Sequence, residues 1–125
     1  MSDSPTFSLS GFVIGAPDPR ALADFYRRLL GWQVRDDAPE WVVLRSPAVG
    51  PTIAFQRESR FRPPVWPADG DHQQMLMHLD IEVDDLEAAV AHAVGCGARV
   101  ADFQPQAHVR VCLDPVGHPF CLYTD

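Results

Sequence analysis

Positive charge is scarce in this chain. Lys and Arg total 10 against 17 Asp and Glu, a formal net charge of −7 at pH 7. A nucleic-acid partner needs a basic face to neutralise phosphates, so none is expected. Cysteine is sparse and odd in number. Cys96, Cys112 and Cys121 form no Cys-x-x-Cys pair and no secretory framework, which points to reduced thiols and a cytoplasmic setting. Long apolar runs are missing: none approaches the roughly 20 residues that cross a bilayer, so no membrane partner is expected. Met1-Ser2-Asp3-Ser4-Pro5 lacks the basic and apolar regions of a secretion signal, and none is expected. What remains is a composition of 46% hydrophobic and 22% charged residues, that of a globular chain expected to form one domain over residues 1–125.

The chain contains one pattern twice. Gly11-Phe12-Val13-Ile14-Gly15-Ala16-Pro17-Asp18-Pro19 runs into Ala21–Gly31, and His78-Leu79-Asp80-Ile81-Glu82-Val83-Asp84-Asp85-Leu86 runs into Glu87–Gly97. Each reads as strand, acidic cap, amphipathic helix and glycine stop. Asp18 is a good N-cap and Pro19 suits the first helical position. Leu22, Phe25, Tyr26, Leu29 and Leu30 make an apolar stripe at helical spacing, and Gly31 ends it. Helices are predicted over 19–30 and 86–95. Extended segments are predicted over 32–35, 41–45 and 52–56 in the first half. In the second they are predicted over 77–83 and near 98–103, 108–113 and 119–124. Repeat one covers about 7–61, a proline-rich linker about 62–75 and repeat two about 76–125. The fold class is α+β, built from two tandem βαβββ modules.

The repeats align with His78 opposite Gly11. In that register Leu79, Ile81 and Val83 match Phe12, Ile14 and Ala16 on the helix-facing side, while His78, Asp80 and Glu82 share the other face. A one-residue slip would drive carboxylates into the core. Deep burial is expected for Leu22, Phe25, Leu29, Phe12, Ile14, Leu79, Ile81 and Val90.

These motifs resemble the vicinal oxygen chelate superfamily, the glyoxalase/bleomycin-resistance fold, and its glyoxalase-like subgroup in particular. The pieces that carry the likeness are Pro17-Asp18-Pro19…Phe25-Tyr26…Leu30-Gly31-Trp32, Met77–Leu86, and Asp114-Pro115-Val116-Gly117-His118-Pro119-Phe120. The resemblance implies half-barrels around one cleft, often completed by dimerisation. It also implies, in metal-using members, one ligand on the first and one on the last strand of each half. Carried over, those positions are Gly11, Gln56, His78 and Cys121, of which only His78 is a usual ligand. One imidazole and one amide do not hold a divalent ion. The expectation is therefore no cofactor, with a divalent metal on unrecognised ligands as the alternative.

The expected ligand-binding residues are Gln56, His78, Asp80, Glu82 and Cys121. His78 is expected to contact a cleft ligand without metal. Cys121 reads as a small buried hydrophobe, with a nucleophile or a soft ligand paired to His78 as alternatives. Asp80 and Glu82 beside an imidazole suit acid/base work or a cationic ligand; solvation, or salt bridges to Arg45, Arg57 or Arg110, stays open. Trp32 reads as core, Trp66 as a cap on the cleft or a dimer seam, and Trp41 as a further aromatic wall. His118 reads as surface, and His72, His92 and His108 show no metal spacing.

The function expected is a glyoxalase-like small-molecule-binding protein with a degenerate metal site, its catalytic status open. The rivals are a metal-dependent lyase, isomerase or dioxygenase-type enzyme on a vicinal-oxygen substrate, and a drug-sequestering protein like those of bleomycin resistance. A homodimer is expected, because half-barrels have open strand edges and a short chain buries limited apolar surface.

Overall fold

The structure, a computed structural model, describes residues 5–125; the reading of residues 1–4 as part of no secretion signal lies outside it. The chain runs β1 (Gly11–Ala16), α1 (Pro19–Leu30), β2 (Gln33–Ala38), β3 (Trp41–Arg45) and β4 (Thr52–Arg57). It continues through β5 (Leu79–Glu82), α2 (Leu86–Cys96), β6 (Arg99–Val100), β7 (Val109–Leu113) and β8 (Pro119–Tyr123). The strands form two four-stranded sheets of identical order, β1-β4-β3-β2 and β5-β8-β7-β6. In each, the first strand lies parallel to the last and the rest pair antiparallel. These are the two tandem βαβββ half-barrel modules read from the sequence, and no closed barrel forms among the described residues. No helix is long and apolar enough to cross a membrane.

The helix ends follow from local chemistry. The Asp18 carboxylate accepts from the backbone N–H groups of Arg20 and Ala21. Gly31 takes the left-handed conformation, φ 72°, and closes α1 on the Arg27 carbonyl. Asp85 caps α2 by accepting from Ala88 N–H, and Gly97 at φ 122° ends it.

One helix joins the two halves. The buried rings of Phe25 and Tyr26 on α1 meet Phe55 from β4 and Phe120 from β8. Tyr26 stacks on Phe55 at 5.5 Å between centroids, and Phe25 lies 6.0 Å from Phe120. The Tyr26 hydroxyl donates to Asp114 Oδ2 at 2.7 Å. Asp114 is 1% exposed. Its other oxygen accepts from the N–H groups of Val116 and His118. His118 Nε2 in turn donates to the Gly15 carbonyl at 2.8 Å. A second tie runs between the helix ends, where Arg28 donates to the Cys96 carbonyl and His92 to the carbonyls of Arg28 and Leu29.

Several burial expectations need correction. Leu22 and Phe25 are buried as expected, but Leu29, Ile14, Leu79, Ile81 and Val90 are only half-buried, and Phe12 is 41% exposed. The reason is topological. β1 and β5 are edge strands, so their helix-facing side chains have neighbours on one flank and open space on the other. β6 spans two residues rather than six, because the chain leaves β7 after Val100. His118 is not a surface residue but a half-buried link between modules.

Tyr26→Phe should leave a buried Asp114 oxygen without its donor and cost about 1–3 kcal/mol in a urea titration. Burial also raises the Asp114 carboxyl above its ordinary value, against the opposing pull of its hydrogen bonds and of His118. Such a group binds a proton on folding, so its contribution favours the fold at low pH. That contribution is lost as pH rises from the ordinary carboxylate value through the raised one. The stability of the natural chain relative to Asp114→Asn should fall across that window; a difference that rises with pH would refute the assignment.

Candidate functional site

The two edge strands face a common space. A cavity of about 780 Å³ lies between the modules, bordered by β1, β5, the segment after β4, the segment before β5 and the β7–β8 turn. That size is in the usual range for small-molecule sites, about 300–1,000 Å³. Its walls are largely apolar, with Phe12, Val13, Phe61, Leu76 and Met77 prominent. Polar groups reach it from Glu58, Arg60, Arg62, His78, Asp80 and His118. Phe61 packs edge-on against His118 at 5.3 Å, which pins the segment after β4 onto the second module.

Asp80 lies in β5 and His78 directly before it, on one face as their two-residue spacing requires. His78 Nε2 stands 3.0 Å from Asp80 Oδ1. Asp80 pairs in register with Cys121 on β8, so adjacent parallel strands carry these side chains at one level. The Cys121 thiol is pushed above its ordinary value, first by burial and then by the Asp80 negative charge beside it. It is therefore a protonated thiol at neutral pH, which counts against the nucleophile alternative. Burial pushes the neighbouring Cys112 thiol up to about 11. All three cysteines are free.

The remaining expected site residues fall elsewhere. Gln56 lines neither this cavity nor its smaller neighbour; its amide donates to Glu58 Oε1 at 2.9 Å. Glu82 is exposed at the end of β5 and also lines neither. Neither Asp80 nor Glu82 pairs with an arginine among the described residues: Arg45 donates to Gln33, and Arg110 to backbone carbonyls. No tryptophan walls the cavity. Trp32 packs against the core, Trp41 lies on the exposed side of β3, and Trp66 packs against Phe103 at 5.7 Å rather than capping the cleft.

The four positions that the fold would use for a metal do not fit one. A Cβ added at Gly11 would lie 2.6 Å from Thr52 Oγ1, so the strand has no room for a side chain there. Gln56 is engaged with Glu58. The first module thus supplies no ligand to that set.

Sequence reasoning missed Glu58, Arg60, Arg62 and the Met75-Leu76-Met77 run as cavity residues. The run was the legible signal: three apolar residues directly before His78, at the end of an otherwise polar linker.

The comparisons with known proteins agree with this architecture. The family model of the glyoxalase-like domain matches residues 11–123. No curated protein matches the chain in sequence. Among solved structures, a glyoxalase/bleomycin resistance protein/dioxygenase family enzyme from Burkholderia phytofirmans is similar at TM-score 0.71 and 19% identity, covering 94% of this chain and 98% of its own. A glyoxalase-related enzyme from Fulvimarina pelagi gives 0.68 and 18%, covering 94% and 88%. The fosfomycin resistance protein FosX from Mesorhizobium loti gives 0.67 and 12%, covering 97% and 94%. At these identities the likeness is one of fold.

Alkylation of Cys121 tests the electrostatics of the site. Asp80→Asn removes the adjacent negative charge, lowers the thiol pKa and should speed iodoacetamide labelling of Cys121 at pH 8. Peptide mass spectrometry after a short pulse reads the rate; equal or slower labelling would show that Asp80 does not act on the thiol.

Proposed function

The chain belongs to the glyoxalase-like domain family, and on that premise we propose that it works as one domain that binds a small, largely apolar molecule in the cavity between its two modules. The observation that carries this reading is the 780 Å³ space itself, lined by apolar side chains together with polar groups at defined places. Asp80, with His78 beside it, takes a hydrogen-bond-donating or cationic group of the ligand. Arg60 and Arg62 line the same cavity, so its charge is not uniformly negative, and an acceptor group on the ligand would meet them. Cys121 sits next to Asp80 as a neutral thiol. No reaction step is assigned, because the metal positions of the fold are not fitted by the residues present.

The homodimer is part of the same proposal. Phe7, Leu76 and Met77 are 88%, 82% and 81% exposed. Leu76 and Met77 line the cavity, together with the exposed Phe12 and Val13. Apolar surface of this kind beside two sheet edges favours pairing with a second copy. A cytoplasmic setting accords with three free cysteines.

A melting-temperature screen tests the ligand class, since a molecule that binds only the folded state stabilises it. One apolar scaffold carrying a cationic, a zwitterionic or an anionic group should raise the melting temperature in the first two forms. Asp80→Asn should weaken those two by about 1–3 kcal/mol in titration calorimetry. Stabilisation by the anionic form alone, indifferent to Asp80→Asn, would overturn the assignment. Light scattering at micromolar concentration should give about twice the 13.9 kDa chain mass; a monomer there would remove the dimer.

A further inference from the structure

The chain has no lysine: all 10 of its basic residues are arginines. Arg20, Arg27, Arg28 and Arg35 pair with aspartates. Arg45 donates to the Gln33 amide and Arg110 to backbone carbonyls. Among the described residues, Arg57, Arg60, Arg62 and Arg99 make no ion pair and no side-chain hydrogen bond. Three of these fall within residues 57–62, at and directly after the end of β4, and Arg60 and Arg62 line the large cavity. In a chain with 17 carboxylates, that is not for want of acids. Glu58, beside them in sequence, accepts from the Gln56 amide instead.

We propose that Arg60 and Arg62 form a carboxylate-binding pair in the large cavity, and that its ligand is a zwitterion: an apolar body with a carboxylate for the arginines and an ammonium for Asp80. The proposal rests on the small-molecule reading and names the ligand's class. A guanidinium presents a planar fork of donors that matches the two oxygens of a carboxylate. Gln73 and Gln74 line the same cavity and bring further amide donors. The acids and arginines of the lining are Glu58, Asp80, Arg60 and Arg62, and their formal charges cancel. A ligand with no net charge and opposite ends matches that set, whereas a doubly charged phosphate would leave an excess of negative charge. Phe12, Phe61, Leu76 and Met77 offer contact to the apolar body.

The segment that carries the pair is tied down. Phe61, between the two arginines, packs on His118 at 5.3 Å between centroids. A Cβ added at Gly117 would lie 3.2 Å from Pro63 Cβ, so Pro63 sits close on the β7–β8 turn. The Val65 N–H donates to the Gln73 carbonyl at 2.7 Å, and Val65 bridges Gln74, which brings the returning limb back beside the outgoing one. Trp66 packs on Phe103 at 5.7 Å. The arginines thus stand on a segment fixed to the second module, the module whose Asp80 carries the opposite charge into the same space.

Titration calorimetry of the full-length chain with octylamine, ω-aminooctanoate and octanoate tests the pair. The three share one flexible chain and differ in their end groups. The zwitterion should bind about fivefold or more tightly than octylamine, and octanoate should bind weakest. Arg60→Gln combined with Arg62→Gln should abolish that preference by weakening the zwitterion alone. Both side chains are exposed, and circular dichroism checks that the variant stays folded. Arg99→Gln removes an arginine from β6, away from the cavity, and should leave the preference intact. Equal binding of the two amines by the natural chain, or a preference that survives the double substitution, would overturn the pair, while the binding of octylamine upheld the cavity reading. Octanoate binding as tightly as the zwitterion would show that Asp80 takes no ammonium and would overturn the zwitterion. Binding of none of the three would overturn the cavity reading, and the pair with it.

Discussion

The hydrogen bond from Tyr26 to the buried Asp114 carboxylate is the contact on which the two halves depend. Each module is marginal by itself, a four-stranded sheet with one helix, and neither can bury both faces of its strands. Tyr26 and Phe25 solve this by lying between the sheets, against Phe55 of one and Phe120 of the other. The Tyr26–Asp114 bond then fixes how the halves sit, and Asp114 passes that constraint on through the turn to His118 and Gly15. The large cavity exists because this join is made at the helices and the β7–β8 turn, leaving β1 and β5 as facing edges with space between them.

The duplication has been used asymmetrically. In the first module one face of β1 carries Gly11, Val13 and Gly15; the matching positions of the second module are His78, Asp80 and Glu82, of which His78 and Asp80 reach the cavity. The space beside these glycines is filled by neighbouring side chains. Side chains of Thr52 and Glu58 occupy the places where Cβ atoms at Gly11 and Gly15 would sit, at 2.6 and 2.7 Å. The first module therefore offers wall and rim, with Phe12, Glu58 and the arginines after β4. The second offers the cluster of imidazole, carboxylate and thiol. A metal position shared between modules cannot be supported on one side only.

Electrostatics reinforce that division. Burial and then the Asp80 charge hold the Cys121 thiol protonated, and Asp80 stands beside His78 at the border of both cavities. Charge from Arg60 and Arg62 enters the large cavity from the other module. A ligand spanning the space would meet unlike charges from the two halves, which sets an orientation as well as an affinity.

Local chemistry made much of this legible in the residues. The Asp18–Pro19 start, the apolar stripe and the Gly31 stop locate α1 at 19–30, and the repeated pattern determines the duplicated βαβββ order. Alternation along Leu79–Glu82 puts His78, Asp80 and Glu82 on one face. Such signals are carried by spacing within one element, so the sequence alone suffices for them. What it could not carry is which edges stay open and which strands become neighbours. Phe12 has the alternation of a core residue yet lies exposed, because β1 ends its sheet. Gln56 has the spacing of a cleft residue yet turns to Glu58. His118 reads as a surface turn residue yet links the modules. Asp80 meets Cys121, some forty positions away, only through the parallel register of β5 on β8. Those outcomes depend on contacts between distant segments, and only the folded chain, with its two helices packed on each other and on their own sheets, decides them.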